Sequence, residues 1–246
     1  MSKPIIVVEN VSKQYPLYHH IAGGLKQFLF RLPASLRAVR NYQFEVLSDI
    51  SFEVRRGETF GIVGKNGSGK STTLGLIAGV LTPSKGRVVT RGRISPLLEL
   101  GGGFHPELTG RENIVLNGVL LGLRRAEVLL KMDEILDFAD IGDFIDQPIR
   151  IYSSGMLARL GFSMVATLDP EILLIDEILA VGDRNFQEKC RNKMMAFKQS
   201  GVTMVLVSHM MEDILNMCDR AAWIDDHRIK KQGNAREVVE SYLQAQ

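Results

Sequence analysis

Residues 64–71 read Gly64-Lys65-Asn66-Gly67-Ser68-Gly69-Lys70-Ser71, a full match to G-x-x-x-x-G-K-[ST]. Glycines at these places let the backbone curl until several N–H groups converge on one anion. In such a loop Lys70 reaches the outer phosphates of a nucleotide and the Ser71 hydroxyl faces Mg²⁺. Thr72 follows at the first turn of the helix. The flanks agree with the motif: residues 58–63 form an apolar, strand-like run, and 71–79 read as a helix ending at Gly79. The positive end of that helix adds to the phosphate site. A strand, a glycine loop and a helix in this order commit the chain to an α/β core.

With 246 residues the chain can build one large core, or one domain with a subdomain. A net charge of +2 is too mild to argue for nucleic acid, and none is expected as a partner. Cys190 and Cys218 lack metal-ligand spacing and read as reduced core thiols. No signal-type stretch follows the N-terminus, and no charge-free run reaches the 18 or so apolar residues of a membrane span.

Along the chain, a β-type run starts at Pro4 and ends near Tyr15-Pro16. In segment 17–44, Leu25, Phe28, Leu29 and Leu32 fall at i, i+3, i+4, i+7, an amphipathic helix stopped by Pro33 and flanked by Lys26, Arg31, Arg37 and Arg40. Two readings stand for it: a solvated helix packed on the β region, or a basic element near lipid headgroups or a membrane partner. Strands are expected at 44–54, 87–94 and 97–98, then a break at Gly101-Gly102-Gly103. Residues 109–166 have helical periodicity, broken near 140–148. Uniformly apolar strands at 172–175 and 202–207 suit a parallel sheet. A helix at about 184–198 separates them, 221–224 reads as the last strand, and 235–244 as a closing helix.

Two strand ends carry polar groups. Residues 171–177 end in Asp176-Glu177, at the place where α/β proteins bind ligands. Asp176 is suited to hold Mg²⁺ through water, and Glu177 to polarise a water for attack on the γ-phosphate. Residues 205–209 end in Ser208-His209, and His209 is placed to sense the γ-phosphate. His19, His20, His105 and His227 have no partner spacing and read as exposed loop residues.

The order of these features resembles the nucleotide-binding domain of ABC transporters: the loop at 64–71, then Tyr152-Ser153-Ser154-Gly155-Met156, Asp176-Glu177, Ala180-Val181-Gly182-Asp183 and Ser208-His209. The resemblance covers nearly the whole chain. It implies an ABC ATPase domain over 1–246: a P-loop NTPase core, an N-terminal antiparallel β subdomain at about 1–100 and an inserted helical subdomain at about 105–165. It further implies ATP and Mg²⁺ as cofactors, and that Ser153, Ser154 and Gly155 act on the nucleotide held by the loop of a second subunit. Asp183 falls in that family's dimer-contacting loop. Tyr15 fits the aromatic on which adenine stacks. Glu99, in Leu97-Leu98-Glu99-Leu100-Gly101, stands nearest to the Gln of the permease-sensing loop, where it would meet Mg²⁺ with Ser71 and Asp176.

The signature departs from the usual Leu-Ser-Gly-Gly-Gln. Tyr-Ser-Ser-Gly-Met, with Glu112-Asn113 in Leu108-Thr109-Gly110-Arg111-Glu112-Asn113, looks like the ATPases that export cell-surface polysaccharide: O-antigen, capsule and teichoic acid. The resemblance then implies a homodimer on the cytoplasmic face of a bacterial inner membrane. It would power a separate permease dimer that moves a lipid-linked polysaccharide. The competing class is a soluble ABC ATPase acting on DNA or ribosomes. Because the sequence stops at Gln246 after one helix, no C-terminal carbohydrate-binding domain is expected.

Overall fold

The computed structural model describes residues 3–16, 43–97, 103–167, 170–176 and 182–245. Segment 17–42, Glu99 and Glu177 lie outside the described residues. Strands β1 (Pro4–Pro16) and β2 (Gln43–Arg55) pair antiparallel, and β1 also pairs with β4 (Lys85–Thr90), giving a three-stranded sheet. The second sheet has six strands. Its order is β5 (Ile94–Leu97), β6 (Ile172–Asp176), β7 (Thr203–Val207), β3 (Thr59–Val63), β8 (Arg220–Asp225) and β9 (Arg228–Asn234). All its pairings are parallel except β8 with β9. The first hundred residues therefore divide between the two sheets rather than filling one.

β6 shows how the layers form. Ile172 and Leu174 point into a core shared with the three-stranded sheet and helix α1 (Lys70–Ile77). Leu173 and Ile175 point into the opposite core, which Phe162, Phe186 and Tyr242 complete. Both faces of β3 and β7 are buried too, which is why these strands are apolar without alternation. The helices on that second face are α5 (Ser154–Thr167), α6 (Arg184–Gln199), α7 (Met211–Met217) and α8 (Ala235–Gln244).

Between β5 and α5 lies a helical region with its own core, around Ile114, Ile135, Ile145, Leu160 and Tyr152. Its elements are α2 (Gly110–Leu120), α3 (Arg125–Leu130), α4 (Met132–Ala139) and two 3₁₀ turns at Gly142–Asp146 and Ile149–Ile151. Helix α5 joins the two bodies. Leu160 and Met164 face the helical core, and Phe162 and Val165 face the sheet.

Three expectations are corrected. The strand expected over 87–94 is two strands, because Arg91 and Gly92 carry the chain from one sheet to the other. The Arg91 N–H donates to Ile5 O at 2.9 Å, and Gly92 has φ 129°. Residues 221–224 are not the last strand: a two-residue turn at Asp226 and His227, φ 48° and 64°, leads into β9. His227 is not a free loop residue, for reasons given below. No helix among the described residues is long and apolar enough to cross a membrane.

Candidate nucleotide site

The phosphate loop connects the C-terminal end of β3 to α1. Two glycines in it fit nothing larger. At Gly64, φ 154°, a Cβ would lie 2.2 Å from Ile224 O. At Gly69, φ 102°, it would lie 2.5 Å from Leu47 Cδ2 and 2.8 Å from Val46 O. The loop is thus pressed between β8 and β2. Lys70 is buried, and its ammonium donates to Gly64 O at 2.9 Å and to Lys65 O at 3.0 Å. Those carbonyls hold the charge inside the curl of the loop.

Asn66, Gly67, Gly69, Lys70, Ser71 and Thr72 line a cavity of about 630 Å³ with Asp176, Val46 and Phe44. That volume suits a ligand of nucleotide size. The Ser68 hydroxyl is buried with no hydrogen-bond partner among the described residues, and it lies outside this lining. One observation fits a phosphate chain in the cavity. A Cβ on Gly67 would meet nothing within 4 Å, so space lies open above the loop.

Sheet order explains the convergence of the polar strand ends. β3, β7 and β6 are neighbours and parallel, so the loop, Ser208-His209 and Asp176 emerge at one edge. Ser208 is buried. Its hydroxyl donates to Asp213 Oδ2 at 3.3 Å and accepts from Met210 N at 3.0 Å, which fixes the turn into α7. His209 follows it and is exposed, and it does not line the cavity among the described residues. Lys65 is likewise exposed and outside the lining.

Tyr15 also stands outside that lining. Its ring is partly buried against the core shared with the three-stranded sheet, and the Lys13 ammonium sits 5.0 Å from the ring centroid. Among the described residues, the aromatic that reaches the cavity is Phe44, 49% exposed and directly across the β1–β2 ladder from Tyr15. Sequence reasoning placed Phe44 only as a strand residue. Pairing the strands on either side of segment 17–42 would have brought the two aromatics together.

His227 backs Phe44. The rings meet edge to face at 5.8 Å, and His227 Nδ1 lies 3.1 Å from Val46 O. Its carbonyl accepts from Ser48 N at 2.8 Å. The β8–β9 hairpin thereby supports the wall that Phe44 and Val46 give to the cavity.

Ser153, Ser154 and Gly155 stand at the start of α5, in a separate cavity of about 540 Å³. Arg159, Gly182 and Asp183 share it. Ser153 Oγ accepts from Met156 N at 3.2 Å, capping the helix. Asp183 caps α6 through Phe186 N at 3.0 Å and also binds Arg159. The Phe186 N–H first, and then Arg159, hold the Asp183 carboxyl below its ordinary range, so it is ionised at neutral pH. Arg159 further donates to Ala139 O and Asp140 O and lies over the Phe186 ring, tying α4, α5 and α6 together.

Both cysteines are buried in the second core. Burial pushes the Cys190 thiol up to about 12 and raises Cys218 as well, so neither is a nucleophile at neutral pH.

Residues 47–180 match the ABC transporter family model. The chain is 53% identical over 243 residues to the O-antigen export system ATP-binding protein RfbB of Klebsiella pneumoniae, covering 99% of each. It is 43% identical over 237 residues to the teichoic acids export ATP-binding protein TagH of Listeria innocua, covering 96% of this chain and 69% of the other. Among solved structures it resembles the dimeric, post-hydrolysis ATP-binding cassette MJ0796 bound to ADP and Pi. The TM-score is 0.73 at 20% identity, with 94% of this chain and 99% of the other covered. Fold, phosphate loop and sequence identity agree, and the chain belongs to the ABC transporter family as an ATP-binding subunit.

Proposed function

We propose that this subunit hydrolyses ATP to drive export of a lipid-linked polysaccharide, O-antigen, through a separate membrane permease. One observation carries the mechanism: the phosphate cavity and the signature cavity share no described residue. Each is half a site, and a head-to-tail homodimer joins the loop of one subunit to Ser153, Ser154 and Gly155 of its partner. Lys70, Ser68 and the N-terminus of α1 bind the phosphates. Ser71 and Asp176 supply oxygens for a hydrated Mg²⁺, which would neutralise charge on the transferred phosphoryl group. Phe44 offers a ring face to the base, beside Tyr15. Glu177 polarises the attacking water, and His209 and Asp183 report on the γ-phosphate and the partner subunit. Glu99 takes the part of the Gln in the permease-sensing loop.

The cargo reading rests on the identity to the Klebsiella exporter along the whole of both chains. Capsule or teichoic acid export is the alternative within the same chemistry, supported by the TagH relative. The subunit would work on the cytoplasmic face of the inner membrane, held there by the permease. Deleting the gene in its host should leave the polysaccharide unexported. The unmodified gene should restore it to the cell surface, and Lys70→Ala should not. Normal surface polysaccharide in the deletion strain would refute the cargo.

A further inference from the structure

Leu108-Thr109-Gly110-Arg111-Glu112-Asn113 and Tyr152 are features of this sequence to which the site above assigns no task. They meet in the structure. Residues 106–109 lie against 148–150, the stretch that runs into the signature. Ile149 N donates to Leu108 O at 3.0 Å and Arg150 N to Pro106 O at 3.1 Å. Thr109 and Pro148 form an antiparallel bridge, and Glu107 pairs with Arg150. The first stretch is itself pinned to α2. Asn113, fully buried, accepts from His105 N at 2.7 Å and donates to Leu108 O at 3.0 Å. Asn117 donates to Gly103 O at 3.3 Å, and Thr109 and Glu112 cap each other's backbone.

Tyr152 closes this joint. Its buried hydroxyl donates to Phe144 O at 2.5 Å. The hydroxyl occupies space that only a glycine leaves: a Cβ on Gly110 would lie 2.4 Å from it and 2.8 Å from Ile145 Cδ1. The leucine usual at this place in the signature has no hydroxyl to make that bond. Tyr152 is followed at once by Ser153.

We propose that Tyr152 and Gly110 are positioning residues for the signature serines, locking the chain entering Ser153 onto the N-terminus of α2 so that residues 103–110 and the signature move as one body. The segment that follows Glu99 in sequence is thereby joined to the element that completes the partner's nucleotide site. A displacement on the permease side would then reach Ser153 through hydrogen bonds rather than through a flexible loop. The proposal rests on the reading that Ser153 serves the partner's site.

The test uses the full-length chain and three readouts: thermal melting, affinity for a non-hydrolysable ATP analogue, and kcat at saturating ATP. Tyr152→Phe keeps the ring and removes one hydrogen bond. In the monomer its analogue affinity should equal that of the unmodified chain, because the phosphate loop is untouched. Its kcat should fall about fivefold, the rate equivalent of one net hydrogen bond. Gly110→Ala should lower kcat further, and Gly110→Ala with Tyr152→Phe should recover part of that loss, since the clashing oxygen is gone. Tyr152→Phe with a lower melting temperature but an unchanged kcat would overturn the proposal, leaving Tyr152 a purely structural residue. Ser153→Arg separates the two ideas. If it is inactive while Tyr152→Phe keeps full kcat, the shared site stands and the positioning role falls. If Ser153→Arg keeps full kcat, both fall.

Discussion

Phe44 reaches the nucleotide cavity from a strand that lies before the phosphate loop in sequence, and His227 stiffens it from the far end of the chain. A ring half open to solvent beside a phosphate loop is suited to stack on a base, because a π-face accepts any base without hydrogen-bond readout. Base–aromatic stacking contributes about 1–3 kcal/mol per base. Phe44→Ala should therefore raise the Kd for ATP about 5- to 140-fold while leaving the affinity for inorganic tripolyphosphate unchanged. Tyr15→Ala should cost less, since its ring is partly committed to the core. Titration of the two variants with both ligands checks this, and an unchanged Kd for ATP in Phe44→Ala would remove it from the base site. That Lys70, Ser71 and Asp176 would come together was legible in the sequence, because each stands in a local pattern at the end of a strand, and all three line the cavity. Phe44 and His227 were not legible, because their roles come from packing between elements. The His227 contact with Val46 O spans 181 residues, and no local pattern reports such a distance.

The elements that sequence reading found best are those whose periodicity and surroundings agree. β6 and β7 are buried on both faces and apolar throughout, and α6 and α8 carry one apolar stripe each. β9 was missed because an edge strand with one face in water needs few apolar residues; Arg228–Asn234 holds only Ile229. Its turn gave no signal either, since Asp226-His227 takes positive φ without the glycine that usually marks it. The phosphate loop is the element where sequence and packing meet most tightly, and two of its glycines separate the effects. Gly67 and Gly69 both have positive φ, so alanine at either costs about 1–2 kcal/mol of backbone strain. Only at Gly69 would a Cβ also strike β2, at Leu47 and Val46 O. Gly69→Ala should thus melt several degrees below Gly67→Ala, and should lose ATP affinity as the loop lifts from β2. Equal melting temperatures in the two variants would mean that β2 yields freely and does not brace the loop.

At the scale of the whole molecule, the arrangement of the two cavities makes a quantitative statement about assembly. Lys70 and Ser153, which the proposed function assigns to one reaction, line different cavities of one chain. Helix α5 carries the signature and is packed on both the sheet and the helical core, so folding that helix back onto its own phosphate loop would break two cores. Two chains arranged head to tail meet the requirement without distortion. Lys70→Ala destroys the loop and leaves the signature intact, while Ser153→Arg does the reverse. Each homodimer should then be inactive. In an equimolar mixture the heterodimer has one site with both halves intact and one with both broken. If subunits exchange freely and sites act independently, half of the dimers are mixed and half of their sites work, so ATPase activity should recover to about one quarter of the unmodified level. If loop and signature served one site within a chain, no dimer in the mixture would hold an intact site. ATPase assays on the mixture, with heterodimers verified by differential tags, decide between these arrangements: activity no higher than that of the separate variants would exclude the shared site.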